Sequence, residues 1–128
     1  MKQSVSAKQD FLDSVLKKGE FYAGIVLGKK DEPDYHLIGV AVRDTGMNWN
    51  DNNKWAESVG GKAPDRRELG LLRVNALEHF KDEAYWSGEQ HASYSYYAWY
   101  QSFNDGDQDY NDKGSKLRGV AVRRLEIL

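Results

Sequence analysis

Asp105, Asp107 and Asp109 occupy alternate positions in a short polar stretch, the spacing of the first ligands in a calcium loop. Such a loop also needs Gly at its sixth position, for a sharp turn, and Glu at its twelfth, for a bidentate carboxylate. Tyr110 and Lys116 stand in those places, so the EF-hand pattern fails. A looser calcium site is the weaker reading of these carboxylates, and a solvated turn is the stronger. His36, His79 and His91 are the only histidines, and no two are spaced as a metal-binding pair on one helix. Ser87 and His91 could join one of many Asp residues in a hydrolytic set, but a chain with 20 acidic residues allows that by chance. Cysteine is absent, which removes disulfides, thiolate zinc sites and thiol nucleophiles together. The expectation is a protein without catalytic residues, bound metal or cofactor.

A different chemistry is written between Tyr85 and Tyr110. Tyr85, Trp86, Tyr94, Tyr96, Tyr97, Trp99, Tyr100 and Tyr110 are interleaved there with Ser, Asn, Asp and Gln. Rings supply rigid contact area at low entropic cost, and small polar groups supply hydrogen bonds, as in adaptable binding surfaces. Trp86, Trp99 and Phe103 are expected in the core. Tyr94, Tyr96, Tyr100 and Tyr110 cannot all point inward from alternating strands. The predicted ligand face therefore runs from Ser87 to Lys116. Its contacts are Tyr94, Tyr96, Tyr100, Asp107, Asp109 and Tyr110, with His91 and Gln108 at the rim.

The elements that must carry this face are legible in the hydrophobic pattern. Phe11, Leu12, Val15 and Leu16 form a helical stripe that Gly19 ends, within an N-terminal helical segment over 1–18. The domain proper spans 19–128. Two runs rich in aromatic and β-branched residues, 21–27 and 35–42, flank a polar stretch with Gly28 and Pro33 and read as a hairpin. A helix follows over about 50–59, capped by Asn48 or Asn50 and stopped by Gly60-Gly61. Asp65 and Glu68 form a capping box, and Leu69, Leu72, Ala76, Leu77 and Phe80 continue with helical spacing. The last third is extended, with a polar loop over 104–116 and a closing strand in which Val120 and Val122 point inward and Arg123 outward. This order implies an α+β fold: a twisted antiparallel sheet with two main helices and a long irregular C-terminal region.

In sequence order, these stretches resemble a known family. The opening Gly19-Glu20-Phe21-Tyr22-Ala23-Gly24-Ile25 and its partner Tyr35-His36-Leu37-Ile38 lead to Trp49, Trp55-Ala56, Gly60-Gly61 and Pro64-Asp65-Arg66-Arg67-Glu68. Tyr85-Trp86-Ser87, Ala98-Trp99, Phe103, Gly106 and Val120-Ala121-Val122-Arg123-Arg124 complete the series. Together they resemble the Lcl C-terminal-like family of small phage and prophage proteins from Gly19 onward. Asp65 stands where that family carries Thr, and Ala63 where it carries Leu; Asp caps a helix as well as Thr does. The resemblance implies a C-type-lectin-like fold, of the formylglycine-generating-enzyme type, in which the N- and C-terminal strands pair and an irregular stretch displays the binding surface. Trp49-Asn50-Asp51 is similar to the Trp-Asn-Asp triplet of calcium-dependent lectins, but here it opens a helix and reads as first-turn residues. Glu32-Pro33-Asp34 sits in the hairpin turn, and no Glu-Pro-Asn triplet is present.

Charge and length narrow the function. A formal net charge of −2, with scattered Lys and Arg, disfavours nucleic acid. No run approaches the ~18 apolar residues of a membrane span, so membrane insertion is not expected. The first twenty residues lack the apolar core of a signal peptide, which points to the cytoplasm of the producing bacterium or to a virion. Together with the family resemblance, which implies a phage or prophage protein, the Tyr-rich face predicts a recognition domain that binds a protein or glycan ligand. A homo-oligomer built on the same rings is a second use of them. The rival readings are a small cytoplasmic phage effector that inhibits a host protein by binding it and, third, a metal-dependent enzyme.

Overall fold

The computed structural model describes the backbone of residues 2–128 and the side chains of residues 6–128. Helix α1 (Lys2–Val15) precedes strands β1 (Phe21–Val26) and β2 (Tyr35–Met47). Helices α2 (Trp49–Ser58) and α3 (Arg66–Ala76) follow, and a short 3-10 turn (Leu77–His79) extends the latter. Strands β3 (Ala84–Gln90), β4 (Tyr97–Ser102), β5 (Gln108–Asp112) and β6 (Leu117–Glu126) close the chain. The sheet order is β1-β2-β6-β3-β4-β5, so the last strand lies at the centre beside the second.

This is an α+β protein with a six-stranded mixed sheet and three helices. The expected purely antiparallel sheet needs one correction: β3 runs parallel to β6, touching it at Tyr85 and Arg118. The chain between them makes β4 and β5 before β6 re-enters between β2 and β3, and that insertion sets the parallel sense. A second correction concerns the loop expected over 104–116, which contains β5. Its side chains are almost all exposed and polar, so no hydrophobic alternation marks it. Backbone hydrogen bonds to β4 make it a strand regardless of what its side chains contact.

Each helix lies where its apolar stripe dictates. Leu69, Leu72 and Ala76 of α3, spaced by three and four residues, are fully buried against Leu37, Val120 and Val122 of the two central strands. Leu77 does not continue this stripe. The helix ends at Ala76, and the tighter turn that follows leaves Leu77 39% exposed. Helix α2 begins at the cap Asn48, whose side chain accepts from Asp51 N at 2.8 Å. It covers the opposite sheet face, where Gly119 and Ala121 alternate with Val120 and Val122. Gly119 is required there. A Cβ would overlap Asn52 Oδ1 and the Arg43 guanidinium, which are bonded to each other at 2.8 Å. Helix α1 rests on the hairpin through Phe11, whose ring lies 4.6 Å from that of His36. Its C-terminal end is held by Arg123, which points away from the core as expected and donates to Val15 O and Glu20.

One charged group ties the layers together. Glu68 is completely buried, yet its carboxylate accepts from Arg124 Nε and Nη2 of β6, each at 2.7 Å. It also accepts from Tyr35 Oη of β2 at 2.6 Å and from Asp65 N at 2.8 Å. Asp65 Oδ1 in turn accepts from Glu68 N, which completes the predicted capping box. Burial alone would raise the Glu68 pKa, but the hydrogen bonds from Arg124, Tyr35 and Asp65 override it and hold the carboxyl below its ordinary value. A lowered folded pKa means that this stabilisation is complete above the unfolded value of about 4.3. It is lost as pH falls through the folded value. Glu68→Gln should cost about 1–2 kcal/mol at pH 7, because the charge-assisted bonds to Glu68 are lost while Arg124, exposed over more than a third of its side chain, turns to solvent. The variant should also lose less stability than the parent between pH 5 and pH 3; urea unfolding at the two pH values reads both effects.

Candidate functional site

Strands β4 and β5 pair in register, with Tyr97 opposite Asp112, Trp99 opposite Tyr110 and Gln101 opposite Gln108. Directly opposed residues share a face, so these six side chains project toward α3. Ala98 and Tyr100 project the other way, as do Asn111 and Asp109 opposite them. The register thus divides the predicted ligand face. Tyr110 and Gln108 lie on the α3 side, whereas Tyr100 and Asp109 lie on the reverse, beside the buried Trp86. Tyr94 and Tyr96 stand on the connection before β4, and Asp107 in the turn before β5. Six Tyr and Asp contacts were expected on one surface, but period-two alternation within β4 and β5 sends neighbours to opposite sides.

On the α3 side the rings form one cluster. His91 stacks against Trp99 with centroids 5.5 Å apart and planes 12° from parallel. Tyr110 meets His91 edge-on at 4.5 Å and Trp99 at 5.4 Å. Tyr94 adds contacts to His91 at 5.1 Å and to Tyr97 at 6.1 Å. These offset and edge-on arrangements are those the ring quadrupoles favour. Trp99 was expected in the core. It is instead half-buried at the centre of this cluster, because α3 starts beside it and covers only one of its sides. Tyr110 remains 41% exposed, Tyr94 55% and Tyr96 77%.

A polar frame fixes the cluster to the helix. The Gln101 amide donates to Leu69 O at 2.9 Å. Gln108 donates to Arg66 O at 2.7 Å and to Gln101 Oε1 at 2.8 Å. Arg66 Nε returns a bond to Gln108 Oε1 at 2.9 Å, and its guanidinium carbon lies 3.6 Å from the centroid of the Trp99 ring. Glu89 Oε1 accepts from Arg66 N at 2.9 Å. His91 Nδ1 accepts from both Ser93 N and Tyr94 N at 3.1 Å, which assigns the neutral ring proton to Nε2 and shapes the connection carrying Tyr94. Arg66, Glu89 and Tyr97 escaped the sequence reading as site residues. Arg66 had appeared only as a basic residue beside a helix cap; the signal that could have found it is that cap's position opposite the Trp99 face.

The other candidates separate in space. Ser87 is buried, and its hydroxyl donates to Trp99 O at 2.6 Å, so the proton a nucleophile would surrender is committed to backbone. His36 bonds Tyr22 Oη at 2.7 Å under α1, and His79 stacks on Phe21 at 3.9 Å, both away from His91. Among the described residues no three His, Asp or Glu side chains converge as a metal site. Asp105 Oδ1 accepts from Asp107 N at 2.9 Å, a turn-forming bond that lowers its pKa. Asp109 Oδ1 accepts from Tyr110 N. On the reverse face, burial and then the nearby Asp109 and Asp105 raise the Tyr100 pKa.

His91 is the link between the rings and the connection over 91–96. In His91→Phe the stack on Trp99 can persist while both amide acceptors disappear. Exchange of the Ser93 and Tyr94 amides should then accelerate about fivefold, for a net hydrogen bond of about 1 kcal/mol, with the β4 amides unchanged. Hydrogen exchange followed by NMR measures this directly.

No protein-family model matches the chain, and no curated protein matches it either.

Proposed function

We propose that this chain is a non-enzymatic recognition domain on a C-type-lectin-like scaffold, of the kind carried by phages and prophages, which binds a ligand at the bacterial cell envelope. The observation that carries the reading is the ring cluster around Trp99. Its members are held by stacking and by a hydrogen-bonded frame, yet Tyr94 and Tyr110 keep large parts of their surface in solvent. A cluster serving only the core would be covered; one serving a partner must be rigid and open at once. Rigid rings lose little entropy on binding, and such anchors dominate the energetics of recognition surfaces.

Two further features support it. The final strand β6 forms a long antiparallel ladder with β2, whereas the first strand β1 pairs with β2 alone, so the pairing of N- and C-terminal strands that the resemblance implies is made one strand inward. The polar groups beside the rings are engaged in holding backbone: Ser87 on Trp99 O, Gln101 on Leu69 O and Glu89 on Arg66 N. Groups so occupied position a surface and do not transfer protons. Among the described residues no helix is long and apolar enough to cross a membrane, so the proposed engagement with an envelope runs through surface contact.

The double variant Tyr94→Ala/Tyr110→Ala tests the reading. The parent protein should co-sediment with bacterial cell envelopes. The variant should bind at least about tenfold more weakly, as expected when two aromatic anchors are truncated. Its midpoint of thermal unfolding should move by only a few degrees, because both rings are substantially exposed. Equal binding by the two proteins, or no binding by the parent, would overturn the proposal.

A further inference from the structure

Arg66 is held in an unusual way for a surface arginine. Its guanidinium carbon lies 3.6 Å from the centroid of the Trp99 ring, and Nε is bonded to Gln108 at 2.9 Å. Gln108 is itself fixed from two sides, by Arg66 O and by Gln101 Oε1. The side chain is therefore locked at both its plane and its stem. Yet among the described residues no hydrogen bond or ion pair engages Nη1 or Nη2. These two nitrogens form the outer edge of the fork, the part that meets a carboxylate in a paired, planar contact. Arg66 lines a groove of about 420 Å³ together with Lys29, Asp65, Arg67, Glu89 and Gln108. That volume is within the range of small-molecule sites.

The neighbours of the fork restrict what can sit there. Asp65 and Glu89 each spend one carboxylate oxygen on a backbone amide of the helix start, at Glu68 N and Arg66 N. With Lys29 and Arg67 also on the wall, three cations face two carboxylates, a balance that suits a single negative charge better than the double charge of a phosphate or a run of acidic side chains. The two carboxylates would accept hydrogen bonds from hydroxyls. Tyr110, two residues from Gln108 on the same face of β5, offers a partly exposed ring against which the apolar face of a sugar could lie. The ligand that matches all three features carries a single carboxylate, several hydroxyl donors and one apolar ring face.

We propose that this groove binds a sugar acid, with its carboxylate on the Nη edge of Arg66, hydroxyls on Glu89 and Asp65, and its ring against Tyr110. The proposal rests on the recognition reading of the same face and names the ligand chemistry for it. Arg66 supplies specificity because its fork is already oriented before the ligand arrives, so little entropy is lost in forming two charge-assisted bonds.

The test is a titration of the whole protein with D-glucuronate, D-galacturonate and N-acetylneuraminate, followed through the NMR signals of Arg66 Nε–H and Trp99 Nε1–H. At least one acid should shift both signals saturably. The methyl ester of that acid should bind at least about tenfold more weakly, the equivalent of about 1.4 kcal/mol, since it keeps the hydroxyls and loses the charge. Arg66→Lys should weaken the acid by a similar factor while unfolding within a few degrees of the parent, because Lys keeps the charge but not the planar fork. Equal binding of acid and ester, or unchanged binding by Arg66→Lys, would overturn the proposal. So would shifts caused by hexaglutamate with none from any sugar acid, which would indicate an acidic peptide instead. If no sugar acid binds but envelope binding still depends on Tyr94 and Tyr110, only this inference falls. If sugar acids bind while envelope binding ignores those tyrosines, the recognition reading of the ring cluster falls and the groove stands.

Discussion

Glu68 carries a charge with no access to solvent, and three elements meet on its carboxylate. It belongs to the first turn of α3, receives two bonds from Arg124 on β6 and one from Tyr35 on β2, and closes the capping box on Asp65. Burying a carboxylate is costly unless every lone pair is matched. Here four donors converge on two oxygens. The consequence is positional: α3 cannot slide or rotate on the sheet without stripping a buried carboxylate of its donors. The same bonds raise the Arg124 pKa, and burial with the Glu68 contact raises that of Tyr35, so all three groups keep their protonation states through the neutral range.

What α3 holds in place is the proposed binding face. With its first turn fixed, Arg66 falls directly over Trp99 and Leu69 O falls within reach of Gln101. The amide relay from Leu69 O through Gln101 and Gln108 to Arg66 then ties the helix to the side chains of β4 and β5. The stability of the core and the geometry of the candidate site are thus one problem: the residue that starts the helix is also the residue that roofs the tryptophan. Preorganisation of this kind lowers the entropic cost of binding without adding a contact to the ligand.

The acidic stretch before and within β5 has a structural use as well. β5 is an edge strand, and its outer side would be open to pairing with another chain. Asp109, Tyr110, Asn111 and Asp112 are exposed along it, and charged side chains make such an edge a poor template for aggregation. Asp105 and Asp112 also build the turns at its two ends by accepting from Asp107 N and Gly114 N. Carboxylates spaced as if for calcium are here spaced for a turn, a strand and a second turn.

Much of this was legible from residue types. The capping box at Asp65 and Glu68, the hairpin around Gly28 and Pro33, the stop at Gly60-Gly61 and the inward Val120 and Val122 all follow from short-range physics: local hydrogen bonding, backbone sterics and hydrophobic period. The richness in exposed tyrosine was also a matter of counting, since alternation forbids burying all of them. Three things were not legible. The strand β5 has no hydrophobic signature because its neighbour needs only its backbone. The parallel contact of β3 with β6 depends on where a later strand inserts, which no local pattern encodes. Membership of the ring cluster, with Tyr110 and His91 on one side and Tyr100 and Asp109 on the other, was set by the register between β4 and β5 and by where α3 begins. Sequence determines which side chains are available for binding; only the pairing of distant strands, anchored by a buried ion pair, decides which of them share a surface.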